Sequence, residues 1–81
     1  MAMTLEQDLF RPKTKVFRKV TVGENTIILD ALGNEGATFR PIAFFVSRVY
    51  RGYRHSEGQF KTKKEAVEHF NKVIEFYKRF D

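Results

Sequence analysis

The sequence predicts an α+β fold: a three- to four-stranded antiparallel meander sheet packed on one face by a single C-terminal helix. Three observations carry that expectation. β-branched and aromatic residues recur at strand spacing from Lys15 to Arg54, glycine-bearing turn signals interrupt that run, and from Lys63 the apolar residues change to a helical period.

Taken in order, residues 1–13 show no clear period and read as an N-terminal arm, in which Leu5, Leu9 and Phe10 are spaced for a short helical turn that docks. A first strand is expected at about 15–22, with Val16, Val20 and Val22 on one face and Phe17, Lys19 and Thr21 on the other. "VGEN" supplies a Gly-centred turn into a second strand, about 26–32, and "GNEG" breaks the chain again. The third strand, about 39–54, tolerates Pro41 at its entrance. Along it Ile42, Phe44 and Val46 share a face, but Arg48 occupies the next apolar place and Val49 has the wrong parity, so a bulge or twist is expected near Ser47 and Arg48. "RHSEG" reads as the next turn, leaving a short fourth strand at about 58–61.

The helix, about 63–80, has the clearest signature. Thr62 followed by Glu65 is the pattern of a capping box, in which hydroxyl and carboxylate each satisfy an orphan backbone N–H. Ala66, Phe70, Val73, Tyr77 and Phe80, flanked by Val67 and Ile74, form the apolar stripe, and Lys64, Glu68, Asn71, Lys72, Glu75, Lys78 and Arg79 form the polar side. The strands and helix make one domain, 14–81, in the 81-residue chain.

A chain of this size leaves little room for a deep catalytic pocket. It has no cysteine, hence no disulfide, thiolate zinc site or thiol chemistry. The first ten residues hold two acids and no apolar run, which predicts no signal peptide, and no stretch of eighteen apolar residues occurs; a soluble, cytoplasmic protein with no membrane contact is the expectation. Nine phenylalanines exceed what one small core easily buries, so some are expected at a contact surface or in a homodimer interface.

The residues that could do chemistry do not converge. Glu65 and His69 lie one helical turn apart, but two ligands do not make a metal site. Glu65, Glu68 and Glu75 punctuate a lysine-rich helix face, Ser47 and Ser56 lack a nucleophile-elbow setting, and the glycines belong to turns and bulges rather than a phosphate loop. The expectation is therefore no enzyme, no metal and no cofactor.

The net charge of +5 is unevenly placed. Residues 11–19 hold Arg11, Lys13, Lys15, Arg18 and Lys19 with no acid, and residues 40–64 hold Arg40, Arg48, Arg51, Arg54, Lys61, Lys63 and Lys64 against Glu57 alone. A clustered basic field attracts polyanions, nucleic acid above all, or an acidic protein surface. In "YRGYRH" the bases interleave with tyrosines: Arg48, Tyr50 and Arg54 share one strand parity, Arg51 and Tyr53 the other. One helix covers one face of a sheet, so the second face is expected to be open, with Phe17 and Lys19 joining it. The expected contacts are Arg18, Lys19, Arg48, Arg51, Arg54, Lys61 and Lys63 at phosphates, with Tyr50, Tyr53 and Phe17 available for stacking.

At Phe45 to Phe70, "FVSRVYRGYRHSEGQFKTKKEAVEHF", the chain resembles the AP2-like arm-site DNA-binding domain of tyrosine recombinases, whose last strand enters its helix through a phrase much like "GQFKTKKEA". The resemblance implies a sheet laid into the major groove, with contacts from Arg48, Tyr50, Arg51, Tyr53, Arg54, Lys61 and Lys63; residues 1–44 lie outside it. The strands-then-helix order is also similar to the Whirly and Pur-type single-strand-binding folds. The functional expectation is a small non-enzymatic nucleic-acid-binding module, with DNA the favoured polymer, using a basic aromatic sheet face and hairpin. The alternative is a small protein-binding inhibitor or adaptor, of the kind phages encode, whose basic face docks on an acidic protein.

Overall fold

The computed structural model describes residues 13–35 and 39–80, so the arm with Leu5, Leu9 and Phe10 lies outside the described residues. Four strands, β1 (Lys13–Val22), β2 (Asn25–Glu35), β3 (Phe39–Tyr50) and β4 (Tyr53–Phe60), form one antiparallel sheet in the order β1-β2-β3-β4, and α1 (Lys63–Lys78) follows. This is the expected α+β meander with its single C-terminal helix packed on one face.

β2 keeps strict alternation and so defines the two faces. Ile27, Leu29 and Ala31 are fully buried toward α1, joined by Val22, Phe44 and Val46 from the neighbouring strands and by Ala66, Phe70, Val73 and Ile74 from the helix. Burying a side chain such as Phe70 or Leu29 contributes about 1.5–3 kcal/mol, so this layer of aliphatic and phenyl groups is the main source of stability. The helix starts where its capping box predicted: Thr62 Oγ1 accepts from the Glu65 backbone N–H at 3.3 Å. The reciprocal arm differs, because Glu65 Oε1 accepts a hydrogen bond from the Thr62 hydroxyl at 2.8 Å and not from a backbone N–H.

Three bulges set the direction of the remaining side chains. On β1, Val16 faces Asp30 and Arg18 faces Leu29, which leaves Phe17 as the extra residue. The parity expected for β1 is therefore corrected below this point: Val20 and Val22 face the core, but Val16 turns to the other face and is 56% exposed. On β3, Ile42 is the extra residue opposite Gly33 and is exposed, not inward with Phe44. The third shift falls between Val46 and Ser47, where the broken alternation placed it, but its extra residue, Glu57, lies on β4. β3 keeps its own alternation there, and Arg48 follows Val46 on the helix side.

The β3–β4 connection also differs from the expected "RHSEG". β3 ends at Tyr50, and Arg51 and Gly52, with φ of 50° and 83°, form a two-residue loop whose left-handed backbone matches the twist of the flanking strands. The expected third strand, about 39–54, thus spans a strand, a turn and the start of β4, and β4 runs through "YRHSEGQF".

Candidate nucleic-acid interface

The bulges and the turn divide the predicted contact residues among several places. Arg48 points to the helix side, where its Nη1 donates to Asn25 Oδ1 at 2.9 Å, its Nε lies 3.5 Å from Glu57 Oε2, and its guanidinium sits 5.0 Å from the Tyr77 ring and 5.9 Å from the Tyr50 ring. Its side chain is only 18% exposed, so Arg48 joins β2, β3, β4 and α1 together. Arg54 is on the opposite face, with Nη2 2.8 Å from Asp30 Oδ2. Arg51 stands at the hairpin tip over Tyr50 and 3.7 Å from Glu24, with both side chains about 70% exposed (70% and 68%). A solvated pair of that kind contributes well under about 1 kcal/mol and leaves the guanidinium available. Tyr53, paired with Tyr50 across the strands, is 74% exposed beside it.

Of the predicted contacts, those with no ion pair among the described residues lie elsewhere: Arg18 and Lys19 on β1, joined there by Lys15, and Lys61 and Lys63 at the entrance to α1; Arg40 on β3, Lys64, Lys72 and Lys78 on α1, and Arg79 after it have none either. Phe17 joins these two groups. Its half-buried ring packs against Phe39 and Phe44 at centroid distances of 6.4 and 6.0 Å. Lys15 Nζ lies 5.7 Å and Lys63 Nζ 5.0 Å from its centre. The expected open-face position of Phe17 is therefore corrected: the bulge carries the ring to the helix side, where it supports two ammonium groups. Folding offers its own reason for cations on β1, an edge strand that lysines and a bulge keep from pairing with another chain.

The face away from α1 is not the basic sheet face expected. Of the predicted contacts, the register puts only Lys19 and Arg54 there. Its middle is formed by Ile28, Leu32, Phe45 and Val49, all partly exposed, with Asp30 and Ser47 buried among them at 7% and 6% exposure. A concavity of about 510 Å³ opens on this face, lined by Thr14, Asp30, Leu32, Phe45, Ser47, Arg54 and Ser56. Sequence reasoning passed over Asp30; its only signal is one acid inside the apolar run "NTIILDAL".

The remaining candidates serve the fold. His69 donates its Nε2–H to the Glu57 carbonyl at 2.8 Å, tying α1 to the β4 bulge, and Glu65 is held by Thr62. Among the described residues no three His, Cys, Asp or Glu side chains converge on a metal position, and no helix is long and apolar enough to cross a membrane. Comparison with protein-family models, with curated proteins and with solved structures gives no match for this chain.

Proposed function

We infer that this protein is a small, non-enzymatic nucleic-acid-binding module, directed at DNA, that holds phosphates through the cations of β1 and of the α1 entrance, assisted by the hairpin tip. The observation that supports this reading best is the division of the bases. Arg48 and Arg54 are committed to buried or half-buried partners, whereas Lys15, Arg18, Lys19, Lys61 and Lys63 stay unpaired although like charges there repel one another. Edge protection accounts for lysines on β1 but not for gathering Lys15 and Lys63 on one ring, and a polyanion would relieve the repulsion between them. Arg51 and the exposed Tyr53 add a second, amphipathic contact at the far end of the sheet.

Replacing Arg18, Lys19 and Lys63 together with alanine tests the reading by fluorescence anisotropy on labelled DNA at two salt concentrations. Each lost phosphate contact should lower the slope of log affinity against log salt by about 0.7–0.9. Unchanged affinity and slope in a folded triple variant refute the assignment.

The alternative, a protein-binding adaptor, has one observation of its own. Phe76 on the outside of α1 and Phe80 just past its end, which leaves the apolar stripe expected of it, are 52% and 74% exposed and pack with tilted rings at 5.0 Å, an aromatic pair that the core does not use. A pull-down from nuclease-treated lysate separates the two readings, because a protein partner survives the nuclease and a nucleic acid does not.

A further inference from the structure

The concavity on the face away from α1 has a composition that neither a phosphate nor a plain apolar surface explains. Asp30 is buried on β2, one of the two central strands. Its Oδ2 accepts from Arg54 at 2.8 Å, while its Oδ1 is buried with no hydrogen-bond partner. Leaving an acceptor of this kind unmet costs on the order of 1–3 kcal/mol, more when it is charged. Ser47, also buried, and the hydroxyls of Ser56 and Thr14 line the same space, and Leu32 and Phe45 supply its apolar wall. The side chains there thus combine one unsatisfied carboxylate oxygen, several hydroxyl and guanidinium donors, and a phenyl ring.

We propose that this concavity receives one unpaired nucleobase, with guanine the best match, and so makes the protein a single-strand binder that reads a base. This rests on the nucleic-acid reading above and specifies its ligand. A phosphate is excluded from the pocket because Asp30 would repel it. An amide-like edge fits: the N1–H and N2–H of guanine are adjacent donors for a carboxylate that retains free lone pairs, and O6 is an acceptor for Arg54 or a serine hydroxyl. The Phe45 ring offers the stacking surface, and the concavity of about 510 Å³ is shallow and open, so that it seats a base and leaves the sugar outside. The base must be unpaired, since its Watson–Crick edge is the part recognised and a duplex cannot present it to a sheet face. Oδ1 is covered in this structure, so a base must displace the side chains over it; Arg54, bonded to the neighbouring Oδ2 and 53% exposed, is free to change rotamer as partners commonly do on binding. Lys19 on the same face is placed to meet the strand beside the pocket.

The test uses the full chain and fluorescence anisotropy on short oligothymidylates whose central residue is guanine, adenine, cytosine or an abasic linker. The guanine oligomer should bind about tenfold more tightly than the abasic one, as one well-placed base contact provides. That ratio should fall to near one in Asp30→Asn and, independently, in Phe45→Ala, each checked for a cooperative melt. Equal binding of all the oligomers, abasic included, overturns the pocket and leaves the nucleic-acid reading standing. A guanine preference that survives Asp30→Asn overturns the role of the carboxylate. Failure of every oligomer to bind overturns the pocket and the single-strand assignment, and the nucleic-acid reading falls with them only if duplex DNA also fails to bind.

Discussion

Arg54 and Arg48 look alike in sequence, each a base next to a tyrosine or one residue from it, yet they have different physical duties. Arg54 neutralises a carboxylate that is 7% exposed. Arg54→Ala should destabilise the protein by about 1–3 kcal/mol in urea denaturation, less than a fully buried pair because the guanidinium is half in water. Arg48→Ala removes a hydrogen bond to Asn25, an ion pair with Glu57 and contact with the Tyr50 and Tyr77 rings, and should cost a similar amount in the same measurement. Residue type and parity could not assign these duties. A single extra residue, Phe17 or Glu57, decides which face a cation occupies, and a bulge leaves only a faint mark in hydrophobic patterning.

At the scale of the element, the β3–β4 hairpin sets folding against contact. Arg51 occupies a left-handed backbone conformation, φ 50°, that asparagine or glycine adopts at lower cost. Arg51→Asn should therefore raise stability by about 0.5–1 kcal/mol while lowering nucleic-acid affinity, and thermal melting beside anisotropy checks both signs at once. Gly33, on β2, bears a different constraint. A Cβ there would lie 2.4 Å from the Arg40 carbonyl oxygen and 2.8 Å from the Phe39 ring. Gly33→Ala should lose on the order of 1–3 kcal/mol in denaturant, through overpacking against backbone that cannot yield. The β1–β2 connection, "VGEN", was legible because glycine marks it; the β3–β4 connection was not, because in "YRGYR" the arginine at the turn reads as one more strand residue. The capped helix was the clearest element, since Thr62, Glu65 and the Ala66, Phe70 and Val73 stripe all agree.

Across the whole molecule, the fold class followed from period and punctuation, but the surface did not. Clustered charge in the sequence suggested one basic sheet face. The sheet instead distributes those bases over two faces, a hairpin tip and a strand–helix junction, and gives its uncovered face an apolar centre around Asp30 and Ser47. Charge along a chain reports how many cations lie near one another in sequence; sheet register decides which of them share a surface. The phosphate-binding role we propose accordingly shifts from "YRGYRH" toward Lys15, Arg18, Lys19, Lys61 and Lys63, with Phe17 as the ring that brings two of them together. The measurement that bears most directly on this account is the affinity of the full chain for single- and double-stranded DNA at 50 and 200 mM salt. Binding that weakens steeply with salt, and whose salt slope flattens when Arg18, Lys19 and Lys63 are alanine, is the predicted result. No binding to either polymer at low salt, by a chain that melts cooperatively, would contradict it.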